Sequence, residues 1–162
     1  MGVDVFDRLV ALLTEAGAKF RVIEHEAQGK SAEISIIRGN CPDQAAKAMV
    51  LDVRGGGGGR RHVLAILPGS RQLDFAAVAT LFEARKCGFA SPETAARLTG
   101  CVMGAVPPFV FDAALSLVVE QDLLNNDTLY FNAGRLDRSM ELDTGDWLAL
   151  AKPRAARIAA RA

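Results

Sequence analysis

The sequence predicts one domain of the α/β or α+β class, with helices packed around a mixed β-sheet. Three observations support this class. The chain has 162 residues, which is the usual length of a single domain. Half of its residues are hydrophobic and 23% are charged, as in globular proteins. Helical and strand-like apolar patterns follow one another without strict alternation or repeat, which favours a sheet with both parallel and antiparallel neighbours.

The first quarter of the chain predicts a helix, a strand and a second helix. Apolar side chains recur at helical spacing over residues 4–16, with Asp4 suited to the N-cap and Gly17 to the C-terminal end. Residues 19–25 predict a short strand. A second helix is predicted to begin at Ser31, which would cap it.

The middle of the chain predicts a hairpin and two helices. Residues 45–53 and 62–68 read as strands, and the glycines 55–59 between them as a flexible turn. A phosphate-binding loop is disfavoured because no Gly-Lys-Ser/Thr follows the glycines. Residues 74–84 predict a helix, and Ser91, followed by proline, is a strong start for the next.

The last third of the chain predicts a loop, two strands and a closing helix. Residues 100–109 are rich in glycine and proline, which indicates a shaped loop. The patterns at 115–119 and 128–133 predict strands, and Asp143 is suited to cap a helix containing Trp147.

Charge limits the kind of partner that the chain can bind. There are 19 basic and 19 acidic residues, but every charged residue from Lys152 onward is basic. The charge pattern therefore divides the chain into a domain over residues 1–152 and a basic tail over 153–162. A protein that wraps a duplex would show a broad basic excess, so any nucleic-acid contact should involve few phosphates, with the tail as a minor helper.

Cysteine and histidine usage predicts neither a metal site nor another cofactor. The chain has three cysteines without Cys-x-x-Cys spacing and two histidines. No apolar run approaches the roughly 18 residues of a membrane-spanning helix, and the N-terminus lacks a basic leader. We therefore expect a cytoplasmic protein with no membrane partner.

Few individual residues are candidates for binding or catalysis. Lys47 lies between alanines at the start of a very apolar strand, where a lysine is rare unless a ligand needs it; a packed stem with a solvated head is the alternative. The loop over 99–109 could present backbone N–H groups to an oxyanion, or be an ordinary turn. Arg60 and Arg61 could contact a phosphate or be solvated. His25 is more typical of a structural or surface residue.

Several segments, taken in order, resemble the YbaK-type family, the prolyl-tRNA editing domains that remove wrong amino acids from tRNA. The segments are Ser31-Ala-Glu and residues 43–53, 62–74, 98–109 and 129–142. The likeness extends from residue 4 to 151 and is nearest to the free-standing deacylases, because no synthetase catalytic domain is attached. It implies a mixed α/β fold with a barrel-like sheet, surrounding helices and a central cleft.

The resemblance also implies an activity and a set of site residues. Lys47 and Gly104, the latter opening a Gly-x-x-x-Pro loop, would be catalytic, with Gly104 where the backbone passes close to the ligand. The substrate-binding candidates are Ser31, Ala105, Val106, Pro107, Pro108, Phe109, Asn132, Ala133, Gly134 and His25. Lys30, Arg60 and Arg61 would contact tRNA phosphates.

The expected reaction is trans-editing: hydrolysis of the ester between a small, mischarged amino acid and the terminal ribose of tRNA. The partner would be the tRNA acceptor end, with a transient association with a synthetase. A reactive ester needs positioning and oxyanion stabilisation more than a strong nucleophile, and selection by a small pocket. Two alternatives remain at this point: a non-catalytic module that binds aminoacyl-tRNA or a small amino acid, and a hydrolase for free acyl esters.

Overall fold

A computed structural model describes residues 4–57 and 59–160, with the side chains of residues 31 and 32 excepted. These residues form five helices and eight strands. The helices are α1 (Val5–Glu15), α2 (Ser31–Arg38), α3 (Phe75–Leu81), α4 (Pro92–Thr99) and α5 (Thr144–Ala151). The strands are β1 (Phe20–Glu24), β2 (Ala46–Gly56), β3 (Arg61–Pro68), β4 (Ala84–Phe89), β5 (Leu115–Glu120), β6 (Thr128–Arg135), β7 (Arg138–Asp143) and β8 (Arg154–Ala156).

The strands form two sheets, which confirms the mixed α/β fold. The larger sheet has the order β4-β2-β3-β5-β8 and the smaller one β1-β7-β6. In the larger sheet β2 is antiparallel to β3 and β4, whereas β3–β5 and β5–β8 are parallel. The barrel-like expectation is wrong, because both sheets are open and end in edge strands.

The hairpin of β2 and β3 is the centre of the larger sheet. Its register runs from Ala46 opposite Pro68 to Val53 opposite Arg61, as the two apolar runs predict. Residues 63–67 of β3 are all buried, because apolar layers cover both faces of this strand. The main core lies between the two sheets and includes Leu9, Phe131 and Trp147. A smaller core lies under α3 on the other face.

Three of the four predicted N-caps are confirmed. Asp4, Ser91 and Asp143 each accept a hydrogen bond from a backbone N–H of the first turn, and Asp74 does the same for α3, where no cap was predicted. The prediction of Ser31 as a cap is wrong: α2 begins at Ser31, and Lys30 occupies the N-cap position. None of the helices in the described part of the chain is long and apolar enough to cross a membrane.

The basic C-terminal segment is built into the larger sheet as far as the structure describes it. Residues 154–156 form β8 beside β5, and Ile158 is fully buried. The buried carboxylate of Glu120 accepts hydrogen bonds from the backbone N–H groups of Ile158 and Ala159 at 2.9 and 2.8 Å. Residues 153–160 are therefore part of the fold rather than a solvated helix end, and their contact with RNA stays a prediction.

Candidate active site

A cavity of about 530 Å³ opens beside the first half of β2. Its walls come from β2, the start of α4, α2, β6 and the loop that follows α4. The volume lies within the range of small-molecule sites. Most of the lining is apolar and small, including Ala46, Ala48, Ala95 and Val106. The cavity is therefore the default candidate for the active site.

The cavity exists because one edge of β2 is left uncovered. β3 pairs with β2 over Ala46–Val53, but on the other edge β4 pairs only over Leu51–Gly56. The free edge next to Lys47 and Met49 lines the cavity. Backbone groups that a neighbouring strand would otherwise use thus lie next to the space where a ligand can bind.

Lys47 is half-buried at this edge. Its ammonium group donates a hydrogen bond to the backbone oxygen of Arg71 at 2.7 Å. An ammonium group carries three donors, so this contact leaves two others for a ligand. Burial lowers the pKa of Lys47 from its ordinary value. No carboxylate in the described part of the chain forms an ion pair with it, so its charge is free to attract an anion.

The loop at Gly104 crosses over Gly29 on the opposite wall. Gly104 has φ of +88°, and a Cβ built there would lie 2.9 Å from the Cα of Gly29. The side chain of Asn132 joins the two segments by donating to the backbone oxygens of Gly104 at 2.7 Å and Gln28 at 3.1 Å. The close approach at Gly104 is thus to another backbone segment, and the expectation that the backbone there also passes close to the ligand stays a prediction.

The same loop offers unpaired backbone donors. The N–H of Ala105 is bonded to the oxygen of Val102 at 3.0 Å. The N–H groups of Gly104 and Val106 have no hydrogen-bond partner among residues 4–57 and 59–160. Both residues line the cavity. Two amides two positions apart are an arrangement that can stabilise an oxyanion.

Arg38 is a second cation of the cavity, and the sequence reasoning missed it. Its guanidinium lies 3.4 Å from Asn132 Oδ1 and 3.3 Å from Ser139 Oγ, and its Nε donates to Asn40 Oδ1 at 3.0 Å. All three partners are neutral, and the described residues include no carboxylate paired with it. Burial lowers the pKa of Arg38 to about 10, which still leaves it charged at neutral pH.

His25 lies outside the cavity lining but is connected to it. Its ring nitrogens lie 2.7 Å from the backbone oxygen of Glu26 and 2.7 Å from Ser139 Oγ. Ser139 in turn donates to Asn132 Oδ1 at 3.1 Å. His25 therefore supports the Asn132 wall through Ser139 and does not face the cavity.

The structure brings four of the predicted residues to the cavity: Lys47, Gly104, Val106 and Asn132. Other candidates lie in the protein interior or against α1. Ala105, Pro107, Pro108, Phe109 and Ala133 are buried. The oxygen of Pro108 accepts a hydrogen bond from the Trp147 indole at 2.8 Å. Gly134 packs against Val5, and its N–H is bonded to the oxygen of Ala105. These residues support the loop on the side that faces the protein interior.

The predicted phosphate contacts are dispersed. Lys30 is exposed and follows the cavity-lining Gly29. Arg60 pairs with Asp52 at 2.7 Å, and Arg61 stacks on the Phe82 ring at 5.2 Å. Both lie at the far end of the β2–β3 hairpin, about 20 Å along the strand from Lys47 at 3.3 Å per residue. The side chain of Ser31 lies outside the described residues.

The cysteine nearest the cavity is not an activated nucleophile. Cys101 lines the cavity and is buried. Burial raises its pKa to about 11, so the thiol stays protonated at neutral pH. This agrees with the interpretation of the cysteine as a small core residue.

A comparison with family models identifies the class of protein. The model described as the aminoacyl-tRNA editing domain matches residues 25–150. The chain therefore belongs to the aminoacyl-tRNA editing domain family, as the sequence resemblance predicted. It is an editing enzyme, a deacylase that hydrolyses the ester of mischarged aminoacyl-tRNA in trans. This assignment decides against a non-catalytic binding module and against a hydrolase of free esters.

Particular relatives narrow the comparison. The multifunctional Ser/Thr-tRNA deacylase ProXp-y of Escherichia coli K12 is 46% identical over 147 residues, or 90% of this chain and 87% of that protein. The protein of the same name from Escherichia coli O157:H7 is equally similar.

Solved structures agree on the fold. A candidate trans-editing enzyme for prolyl-tRNA synthetase superimposes with a TM-score of 0.81 at 23% identity, over 99% of this chain and all of that one. A second crystal structure, of a hypothetical protein, gives a TM-score of 0.83 at 19% identity, covering 94% of this chain and 99% of the other.

Proposed function

We propose that this chain removes serine and threonine from mischarged tRNA, and that hydrolysis takes place in the cavity between Lys47 and the loop at Gly104–Val106. The substrate choice is supported by the Escherichia coli relative, whose name specifies Ser/Thr-tRNA. The site is supported by one observation above the others: Lys47, which is half-buried, lines the same cavity as Gly104 and Val106, and among the described residues the lysine has no carboxylate partner and the two loop N–H groups are unpaired.

Lys47 is the anchor for the anionic part of the substrate. Its two remaining donors and its charge suit a phosphate oxygen near the 3′ end of the tRNA. Because the surroundings are apolar, the attraction is screened less than at the surface. The carbonyl of Arg71 holds the ammonium in place before the substrate arrives. The Arg71 guanidinium is itself fixed by Asp122 and by the backbone oxygens of Ala159 and Ala160.

The loop amides serve the carbonyl of the ester. Water adds to this carbonyl and forms a tetrahedral intermediate with a negative oxygen. The N–H groups of Gly104 and Val106 are the donors for that oxygen. Collapse of the intermediate breaks the bond to the ribose oxygen, which takes up the proton that the attacking water has lost, and releases the free amino acid and the tRNA 3′ end. The neighbouring ribose hydroxyl can orient the water, so the protein needs no strong base of its own.

Size governs selection among amino acids. The sequence led us to expect a small pocket, but about 530 Å³ is enough for a drug-sized ligand. The cavity therefore has room for the terminal nucleoside together with the aminoacyl group. The alanine-lined part of β2 and α4 receives the side chain, and a larger one is rejected by contact. One extra methylene is worth only about 1–3 kcal/mol, so discrimination between serine and threonine is weak.

The proposal includes the setting of the reaction. Charged tRNA is made by synthetases in the cytoplasm, so the enzyme would act there on tRNA as a synthetase releases it. A transient association with a synthetase fits this order of events.

A panel of charged tRNAs tests the proposed substrate. Release of labelled amino acid is measured from tRNAs carrying serine, threonine, alanine, cysteine and 2-aminobutyrate, with a free serine ester as control. We expect fast release of serine and threonine from tRNA and no acceleration with the free ester. Fast release of alanine alone would overturn the substrate choice, whereas equal activity on the free ester would overturn the role of tRNA.

A further inference from the structure

The size of the cavity cannot by itself separate serine from alanine. Alanine is the smaller residue, so any space that admits serine admits alanine as well. A preference for serine and threonine therefore needs a polar group that contacts their side-chain hydroxyl. In the described lining of the cavity, four side chains carry nitrogen or oxygen: Arg38, Lys47, Tyr130 and Asn132.

Three of these four side chains have no acceptor left for a hydroxyl. Arg38 and Lys47 are cations, which only donate. Asn132 uses its full capacity: its Nδ2 donates to two backbone oxygens, and its Oδ1 accepts from the Arg38 guanidinium and from Ser139 Oγ. Tyr130 is thus the one polar side chain of the described lining whose oxygen can still accept a hydrogen bond.

A neighbouring carboxylate fixes the role of Tyr130 as an acceptor. Glu141 lies directly opposite Tyr130 in the β6–β7 pair, and the phenol donates its proton to Glu141 Oε2 at 3.1 Å. Burial and Glu141 raise the pKa of Tyr130, so the phenol stays protonated at neutral pH. Because its single proton is already shared with Glu141, the phenolic oxygen can receive only a donor from a ligand.

Tyr130 lies beside the part of the cavity that is proposed to receive the amino-acid side chain. An isolated parallel bridge pairs it with Ala45, which precedes β2 and also lines the cavity. Its side chain shares one face of β6 with that of Asn132, two positions further on and about 7 Å along the strand. Asn132 holds the backbone oxygen of Gly104. Tyr130 therefore belongs to the same wall as the loop proposed to bind the ester carbonyl.

The charge around Tyr130 favours a neutral donor over the α-ammonium group of the substrate. Glu141 is already paired with Arg21 at 2.7 Å. Arg21 and Arg38 both act on the phenol and lower its pKa, and Lys47 is a further cation of the cavity. An ammonium group at this point would meet a net positive charge, whereas a hydroxyl would not.

A purely structural role for the phenol is the competing explanation. Arg21, Glu141 and Tyr130 lie side by side across β1, β7 and β6, and polar pairs of this kind stabilise sheets. That role accounts for the proton of the phenol but not for the place of Tyr130 in the cavity lining. It predicts that loss of the phenolic oxygen affects all substrates alike.

We propose that Tyr130 determines specificity for the side-chain hydroxyl: its phenolic oxygen accepts a hydrogen bond from the hydroxyl of serine or threonine esterified to tRNA. This deepens the proposed function and rests on it for the reaction itself. Alanine has no hydroxyl and leaves the phenolic oxygen without this contact. Serine and threonine both make it, so the contact does not separate the two.

Deacylation by Tyr130→Phe tests the proposal, since this variant keeps the ring and removes only the oxygen. We expect kcat/KM for tRNA carrying serine or threonine to fall about five- to tenfold, the effect of one lost hydrogen bond. For tRNA carrying alanine it should stay within about twofold of wild type. Thr80→Val is the control, because it removes an exposed hydroxyl from α3 and should keep the wild-type ratio of serine to alanine release. Unfolding by urea checks that both variants are folded.

A tRNA acylated with 3-hydroxypropionate, which has the hydroxyl of serine but no amino group, separates the two possible donors. Tyr130→Phe should slow its release as much as that of serine. A loss confined to substrates with an amino group would overturn the proposal and assign Tyr130 to the ammonium. Equal losses for serine and alanine, or none for serine, would leave Tyr130 a structural role only. Absence of serine and threonine release by wild type would overturn the proposed function and this inference with it, whereas an unchanged serine-to-alanine ratio in Tyr130→Phe overturns the role of Tyr130 alone.

Discussion

The two cations of the cavity are held in opposite ways. Lys47 extends from an apolar strand edge, and the only hydrogen-bond partner of its ammonium group among the described residues is the backbone oxygen of Arg71. Arg38 comes from the last turn of α2 and contacts three neutral side chains, those of Asn40, Asn132 and Ser139. The wall that carries Lys47, here the first wall, therefore presents a compact charge with free donors. The wall that carries Arg38 and Asn132, the second wall, presents a planar charge within a polar network.

The difference indicates a division of work. Lys47 has donors to spare, so it can form new contacts with a substrate without breaking old ones. Arg38 belongs to the network that fixes Asn132, and Asn132 fixes the backbone at Gly104. The first wall provides only charge for binding the substrate, whereas the second adds a further cation that faces the cavity and also maintains the loop geometry. The predictions below test this division.

Lys47→Met should have the largest effect on activity. It removes the charge and donors and keeps a side chain of similar length. We expect kcat/KM for deacylation to fall about 100-fold or more, which is typical for loss of a main electrostatic contact. The free energy of unfolding should change by no more than about 1 kcal/mol, the worth of the hydrogen bond to Arg71.

Steady-state deacylation together with urea unfolding makes this measurement. Lys47→Arg is the matched control, since it keeps the charge but changes its shape. Wild-type kcat/KM in a folded Lys47→Met variant would remove Lys47 from the site.

Gly104→Ala should destabilise the fold and displace the loop that forms part of the second wall. The added Cβ would lie 2.9 Å from the Cα of Gly29, at a φ of +88°. We expect a loss of about 2–4 kcal/mol in unfolding free energy, from the left-handed backbone and the overpacking together. Activity should fall with it, as the loop is displaced.

Gly39→Ala is the control for backbone conformation alone. Gly39 has φ of +75° but nothing within 4 Å of an added Cβ. We expect a loss of about 1–2 kcal/mol there. Equal losses at 39 and 104, measured by urea unfolding, would mean that the contact with Gly29 is not tight.

The sequence predicted the first wall far better than the second. Lys47 stands out because a charged residue interrupts an apolar strand, and the chemistry follows from that contrast. Arg38 gives no such signal, since a base in the last turn of a helix is expected from the helix dipole alone. Its importance comes from Asn132 and Ser139, which are 94 and 101 residues away in the chain and contact it only in the folded protein.

Arg38→Gln should have a moderate effect, expressed in KM. The variant keeps a polar group near Asn132 but removes a half-buried cation that faces the substrate cavity. We expect KM for charged tRNA to rise about tenfold, the loss of one charged hydrogen bond, with kcat little changed. A fall in kcat at constant KM would instead make Arg38 a positioning residue that acts only through Asn132.

The burial of Lys47 should also change how the stability of the protein depends on pH, an effect smaller than those of the substitutions above. Burial holds its pKa below the ordinary 10.5. Between its folded-state pKa and 10.5 the unfolded chain binds more protons, so stability rises with pH in that window. Cys87 and Cys101 act in the opposite direction, because burial raises the pKa of each from 9.0 to about 11.

The difference between wild type and Lys47→Met cancels the cysteine contribution. We expect the stability of wild type relative to this variant to increase as pH approaches 10.5. Guanidinium unfolding at several pH values measures it. A difference that stays constant with pH would show that Lys47 is fully solvated.

The difference between segments with a strong local sequence signal and segments without one also explains which strands the sequence analysis missed. β2 and β3 are predicted because both carry uninterrupted apolar runs that become the sheet centre. Three strands were missed: β4, β7 and β8. β7 has charged residues at three of its six positions. β4 is an edge strand whose arginine, lysine and glycine hide the pattern, and β8 has three residues. Both are strands because of their neighbours, β2 and β5, and not because of local preference. The residues that limit the cavity on one side thus come from a segment with no strand signal.

Arg61→Ala should have the smallest effect, and it separates the two faces of β2. Arg61 lies opposite Val53, whose side chain is in the core under α3, so the two share that face. The Arg61 guanidinium stacks on Phe82 there. Arg54 follows Val53 and therefore points to the other face.

The sequence proposed Arg61 as a phosphate contact, but on this geometry the tRNA affinity of Arg61→Ala should change less than about twofold. Loss of the cation–π contact should cost about 0.5–1 kcal/mol of stability. Filter binding of tRNA, with Arg54→Ala measured in parallel, decides the matter: a larger loss of affinity for Arg61→Ala than for Arg54→Ala would place the RNA on the α3 face.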